Sequence, residues 1–194
     1  MKQGPGVARW GGVLLYVSGI YLTIPYIPRL WYSAQALTGA SLNSLAFYPL
    51  ATIAALSLVA ATYRTGADIL SLLALAAIGC LYYYLYGHVF QEPIEKLHLF
   101  EYGLLSWILW RAWRPDRHNL YRSAAGILLL NAAVGATDEL IQHYTPGRVG
   151  EFRDVVIDWE SAALGLAVLL VTLTPWKTGA QAADAARHRD SRPL

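Results

Sequence analysis

The sequence is poor in charge and contains a single cysteine. Only 14% of its 194 residues are Asp, Glu, Lys or Arg and 56% are hydrophobic, which is too apolar for an ordinary soluble domain. The net charge of +2 supplies no broad basic surface, so nucleic-acid binding is not expected. Cys80 has no partner for an intrachain disulfide, and we expect it to pack in the core. The composition therefore predicts a membrane protein.

Several catalytic and metal-binding motifs are also missing. No Ser or Cys stands in a recognisable nucleophile motif, so covalent catalysis by either is not expected. No His-x-x-x-His or paired-cysteine spacing requires a metal, although carboxylate oxygens would suit a divalent ion. We therefore expect no cofactor, with a divalent metal left open.

The apolar segments predict an all-α fold, a polytopic membrane bundle of about six transmembrane helices. A crossing needs about 20 predominantly apolar residues. The predicted helices cover 8–27, 46–62, 68–87, 96–113, 120–141 and 154–176. The chain would divide into an N-terminal part (1–92), a core (93–176) and a tail (177–194). After the first helix, Trp31, Tyr32, Leu37 and Leu42 predict a stretch at the membrane interface.

The basic residues predict the orientation. With a cytoplasmic amino terminus, six crossings put eleven Lys and Arg residues inside and four outside. We therefore expect a multi-pass protein of the bacterial inner membrane, with both termini cytoplasmic. The connections 87–97 and 142–153 would then face outward.

Two ionisable residues, His98 and Glu101, fall inside the fourth predicted helix. The apolar stretch 102–113 rises only about 18 Å, against a hydrocarbon layer of about 30 Å, so a crossing helix must include both residues. They share one helical face with Tyr102, and a carboxylate beside a histidine holds its ring and favours the imidazolium. We predict that His98 is a proton carrier oriented by Glu101; the alternative is a buried structural hydrogen bond.

A second polar cluster lies at the end of the fifth predicted helix. Asp138 and Glu139 precede Gln142 by four and three residues, so their side chains can meet. The planar guanidinium of Arg148 follows, and it suits a carboxylate or an anionic head group.

The sixth predicted helix begins with two further carboxylates. Its apolar stretch 161–176 covers only about 24 Å, which draws Asp154 and Asp158 into the outer turns. Because they lie four apart, they share a face. Helices four to six are thus expected to form an outward-facing pocket of acidic, histidine and arginine side chains.

At these segments the sequence resembles the VanZ-like family of small bacterial membrane proteins. The resemblance covers about 93–170 and rests on Glu95-Lys96, His98, Glu101-Tyr102-Gly103, Asp138-Glu139, Gln142, Pro146-Gly147-Arg148, Asp154 and Asp158. Asp158 stands where Asn is common in that family. The resemblance implies a multi-helix membrane fold and a link to cell-envelope properties, including antibiotic resistance in the form of reduced teicoplanin sensitivity.

Three kinds of function remain open. An enzyme acting on a lipid-linked or glycan envelope precursor would use catalytic groups from His98, Glu101, Asp138, Glu139 and Asp154, of which the last three could instead bind metal. Its substrate contacts would be Lys96, Tyr102, Gln142, Arg148 and Asp158. A binding or transport protein for an anionic envelope molecule would need a path to the cytoplasmic side. In a structural protein, the charges would form a buried ion-pair network that fixes the helices.

Overall fold

The computed structural model describes residues 5–38, 55, 58, 69–89, 95–115 and 118–173. In this part of the chain every regular element is a helix, which confirms the all-α prediction. The helices are α1 (Pro5–Thr23), α2 (Ile27–Thr38), α3 (Ile69–Tyr84, followed by a π-helical turn at Leu85–Val89), α4 (Glu95–Trp113), α5 (Leu120–Tyr144) and α6 (Phe152–Leu173).

The first helix is shorter than predicted and bends into the second. Helix α1 ends at Thr23, short of the predicted 27, because the residue before Pro25 is disfavoured in helical backbone. Helix α2 then leaves at 64° to α1. It buries Trp31 and exposes Leu30 and Leu37. As far as Thr38 the predicted interfacial stretch is therefore helical with one apolar side exposed, whereas Leu42 lies outside the described residues. Its position at the interface stays a prediction.

The α5–α6 connection is a tight turn. Helix α5 runs three residues beyond its predicted end, and Thr145 then takes up extended backbone while its N–H donates to the carbonyl of Gln142 at 2.9 Å. Gly147 has a φ of 80°, a left-handed conformation that glycine adopts without strain. The turn returns the chain so that α6 packs against α5.

The described residues hold fewer membrane spans than the six predicted. Three helices are long and apolar enough to cross, Ile69–Val89, Leu120–Tyr144 and Phe152–Thr172, and the bent α1–α2 pair would make a fourth. Helix α4 is continuous, but it contains the charged residues Lys96, Glu101 and Arg111, which lower its mean hydropathy. The predicted helix 46–62 lies almost wholly outside the described residues.

Helix α4 is nevertheless the centre of the bundle, in contact with α1, α5 and α6. Its side chains Tyr102, Leu105 and Leu109 are at most 1% exposed. Its neighbours shield Glu101, which is partly buried, whereas Arg111 near the end of the helix is exposed. Apolar side chains that face outward, such as Leu15 and Leu129, instead cover the surface of the bundle, as expected of a membrane protein.

Small residues permit the closest helix contact. A Cβ atom on Gly165 of α6 would lie 2.6 Å from the Cα atom of Gly103 on α4, so neither helix could approach as closely with a larger residue at 165. Cys80, by contrast, is exposed on α3, and the expectation that it packs in the core was wrong. The cause is that α3 lies at the edge of the described bundle, against α6, with most of its apolar surface uncovered.

Candidate functional site

A histidine–aspartate pair joins α4 to α6. Nδ1 of His98 forms a hydrogen bond with Oδ1 of Asp158, and the two residues are only 5% and 0% exposed. Sequence reasoning expected Glu101 to orient His98, but the structure gives this role to Asp158. The imidazole is therefore held by a carboxylate from another helix rather than from its own.

A second pair lies beside the first. The hydroxyl of Tyr102 donates to Oδ2 of Asp138 on α5 at 3.1 Å, and its ring stacks on that of His98 with centroids 5.8 Å apart. Tyr102 is completely buried, whereas it was predicted to contact substrate. Its position suits it to hold Asp138 and His98 in place.

The two aspartates are incompletely satisfied. Asp138 is only 2% exposed, and its Oδ1 lacks a hydrogen-bond partner among the described residues, as does Oδ2 of Asp158. Ligand atoms of His98, Asp138 and Asp158 all lie within 4.8 Å of one another, so these three residues could hold a metal ion. Gly135 makes room for this arrangement, because a Cβ atom there would lie 2.6 Å from Oδ2 of Asp158.

A separate network holds the α5–α6 turn. Nε2 of Gln142 donates to Oε1 of Glu139 at 3.0 Å, which confirms that these residues meet. Oε1 of Gln142 accepts from Nε of Arg148 at 3.1 Å and also from its Nη2. Oε2 of Glu139 accepts from the backbone N–H of Glu151 at 2.8 Å, just before α6 begins. Glu139, predicted to be catalytic, therefore fixes the turn that carries Arg148.

These elements surround a small pocket. Its cavity of about 30 Å³ is enough for one or two water molecules. The α1–α2 bend supplies a largely apolar wall of Ile20, Thr23, Ile24, Ile27 and Pro28. Helices α4 and α5 and the following turn supply Leu97, His98, Glu101, Asp138, Gln142 and Arg148. The pocket thus places ionisable groups opposite an apolar surface.

Five of the ten predicted site residues do not line this pocket, namely Lys96, Tyr102, Glu139, Asp154 and Asp158. Lys96 and Asp154 have other surroundings. The ammonium of Lys96 lies 4.4 Å from the ring centroid of Tyr86, in a cation–π contact. Asp154 is in the first turn of α6, where a carboxylate is stabilised by the positive end of the helix. Neither placement brings the side chain to His98.

Sequence reasoning missed the contribution of α1. The hydroxyl of Tyr16 donates to the backbone carbonyl of Glu101, and that of Tyr21 to the carbonyl of Val134, each at 3.1 Å. These bonds fix the apolar wall against α4 and α5. The tyrosines lie five apart on an apolar helix, a spacing that gave no signal of a site, and Pro25, which could have marked the bend, was placed inside the predicted helix 8–27.

Comparison with known protein families assigns the sequence to one of them. The sequence model of the VanZ/LLP1 family matches residues 13–173, most of the chain. The match includes every residue of the pocket and extends beyond the 93–170 segment that carried the resemblance. No curated protein and no solved structure gives a significant match.

Proposed function

Because this chain belongs to the VanZ/LLP1 family, we propose that it is a membrane enzyme of the bacterial cell envelope that modifies a lipid-linked precursor. The protein would lie in the inner membrane with both termini cytoplasmic and the pocket facing outward, as its Lys and Arg distribution favours. A change in the precursor would alter envelope composition and thereby sensitivity to glycopeptides of the teicoplanin type.

The observation that supports this proposal is the two-sided character of the pocket. Only a small polar part of an amphiphile would enter this cavity of about 30 Å³, near Glu101 and Arg148. Its apolar chain would lie outside the cavity against Ile27, which is partly exposed, since Ile20 and Ile24 are each only 7% exposed. A purely water-soluble substrate would gain nothing from an isoleucine wall. Binding sites commonly combine such an apolar surface with a few placed polar groups.

Two of the charged residues that line the pocket, Arg148 and Glu101, would take different roles. Arg148 is held through Gln142, with its guanidinium oriented to bind a phosphate or carboxylate of the head group. Glu101 lines the pocket on the face of α4 and supplies the acid–base group that moves a proton to or from the substrate. Because Glu101 and Arg148 lie far apart in the sequence, activity would require the folded bundle that brings both side chains to the pocket.

Transport and a purely structural role fit the described residues less well. A transport path would have to pass Leu105, Leu109 and Ile127, which fill the core and are at most 1% exposed. A network that only locks helices is stable when its buried polar atoms are satisfied, whereas Asp138 and Asp158 each keep an oxygen with no hydrogen-bond partner among the described residues. A reactive site, by contrast, tolerates buried polar atoms without hydrogen-bond partners.

The test uses lipid analysis with a matched pair of carboxylate variants. Cells expressing the wild type, Glu101→Gln or the control Glu151→Gln, whose side chain is exposed, are compared for lipid-linked precursors by mass spectrometry and for teicoplanin sensitivity. We expect Glu101→Gln to lower conversion by about 100-fold or more, the usual contribution of an acid–base group, and Glu151→Gln to behave as the wild type. Full conversion by Glu101→Gln at equal expression would refute the proposed role.

A further inference from the structure

The geometry points to a binding site for one divalent metal ion at His98, Asp138 and Asp158, and we propose that the protein holds such an ion. Each ligand comes from a different helix, α4, α5 and α6, and each is at least nine-tenths buried. Metal sites in helix bundles are built in this way, from side chains that project inward from facing helices.

The distances are close to those that coordination requires. An imidazole nitrogen and carboxylate oxygens bind Zn²⁺ at about 2.0 to 2.2 Å, so ligand atoms of one ion lie within about 4.4 Å of one another. The three ligand atoms here already lie within 4.8 Å. Small side-chain rotations suffice to close the site, with the metal replacing the direct contact between His98 and Asp158.

Unpartnered atoms and charge give an independent argument. Oδ1 of Asp138 and Oδ2 of Asp158 are buried without a hydrogen-bond partner among the described residues, which is costly for a carboxylate. A protonated His98 would balance only one of the two carboxylates. Arg148 donates to the neutral amide of Gln142. A divalent cation with a neutral imidazole balances both aspartates.

The ligand set selects the kind of metal. Imidazole nitrogen favours first-row ions such as Zn²⁺ over Mg²⁺ and Ca²⁺, the two carboxylates also suit Mn²⁺, and a set without thiolate or thioether does not select copper(I). Three protein ligands leave a coordination position open, as in catalytic rather than structural sites. His98 and Asp138 line the pocket, so the open position would meet water or substrate there.

Two neighbouring residues, Tyr102 and Gly135, suit the proposed metal site. The hydroxyl of Tyr102 donates to Oδ2 of Asp138, and such bonds orient metal ligands and increase affinity. Gly135 lets α5 approach Asp158, since a methyl group would collide with its carboxylate. The metal site is independent of the substrate proposed above, and it would assign His98 to coordination in place of the predicted proton transfer.

The experiment measures metal in the full-length protein, purified in detergent with an affinity tag that contains no histidine. Protein loaded with Zn²⁺, Mn²⁺ or Co²⁺ and then desalted is analysed by elemental mass spectrometry, and the Co²⁺ form by visible absorption. We expect about one equivalent per chain in the wild type and in the control His118→Asn, whose side chain is exposed. In His98→Asn and Asp138→Asn, affinity should fall by at least about 100-fold, more than loss of a supporting group causes.

A chelator titration on the wild type keeps the test decisive if these variants do not fold. Removal of metal should lower the melting temperature, and Zn²⁺ or Mn²⁺ should restore it. Wild-type protein that binds none of the three ions, or melts identically with and without them, would overturn the site. Equal metal content in folded His98→Asn would do so too. Metal binding without precursor conversion would refute only the proposed enzyme function.

Discussion

The hydroxyl group of Tyr102 joins two of the central helices. It donates from α4 to Asp138 on α5, in surroundings where neither group reaches solvent. A buried acceptor that loses its donor costs more free energy than the hydrogen bond itself contributed, because it cannot regain water. The stability of the fold and the geometry of the site therefore depend on the same oxygen atom.

Tyr102→Phe should separate that hydroxyl from the ring that stacks on His98. We expect the free energy of unfolding to fall by about 1 to 3 kcal/mol, the cost of an unsatisfied buried polar group. Metal affinity should fall by about 10- to 100-fold, because a supporting hydrogen bond is lost. Thermal unfolding in detergent and metal titration measure the two effects.

The control is Tyr121→Phe, which removes the same hydroxyl from a side chain that is 87% exposed. It should change neither quantity. Equal stability of Tyr102→Phe and the wild type would show that Asp138 does not depend on this donor.

Helices α4 and α6 approach each other closely at Gly103 and Gly165. Gly165→Ala would bring a methyl carbon to 2.6 Å from the Cα atom of Gly103, and backbone atoms cannot move aside as a flexible side chain can. We expect the helices to separate and the melting temperature to fall by several degrees, consistent with an overpacking cost of about 1 to 3 kcal/mol. Circular dichroism during heating measures it.

Gly79→Ala provides the comparison, because nothing lies within 4 Å of a Cβ atom at that position on α3. Alanine is the better helix former by about 1 kcal/mol, so this variant should be as stable as the wild type or more stable. If Gly165→Ala were as stable as Gly79→Ala, the close approach of α4 and α6 would be refuted.

The helices and most of the polar site could be predicted from the sequence, but their pairings could not. Apolar length and helical spacing placed His98, Asp138, Arg148 and Asp158 at three neighbouring helix ends. Spacing within one helix shows which residues share a face, and it says nothing about which residue of another helix lies opposite. His98 was therefore matched with Glu101, its neighbour on α4, when its partner is Asp158 on α6.

A related reason explains why length and hydropathy do not recognise α4 as a membrane span, although the sequence predicted a crossing there. Length and hydropathy describe each segment as though lipid surrounded it. Helix α4 is instead enclosed by its neighbours, so it can carry charges that a lipid-facing helix could not. Burial in the bundle is a property of the whole fold, which one segment does not reveal.

At the scale of the whole molecule, the orientation in the membrane can be tested at the two ends of α5. This helix of 25 residues is about 37 Å long, so its ends lie on opposite sides of the hydrocarbon layer. In a Cys80→Ser background, Val149→Cys should react with an impermeant thiol reagent on intact cells, since Val149 is 71% exposed in the turn that is proposed to face outward. His118→Cys should react only after lysis.

The two variants act as controls for each other, because each confirms that the reagent and the membrane barrier work. Labelling of His118→Cys on intact cells, with Val149→Cys protected until lysis, would reverse the orientation and place the pocket on the cytoplasmic side.

The isoleucine wall formed by the α1–α2 bend affects how kinetics must be measured. A substrate that rests against this wall arrives from within the bilayer, so its effective concentration is its mole fraction among the surrounding lipids or detergent. Adding detergent at constant total substrate would then slow turnover by surface dilution. Rates would follow the substrate-to-detergent ratio rather than molarity.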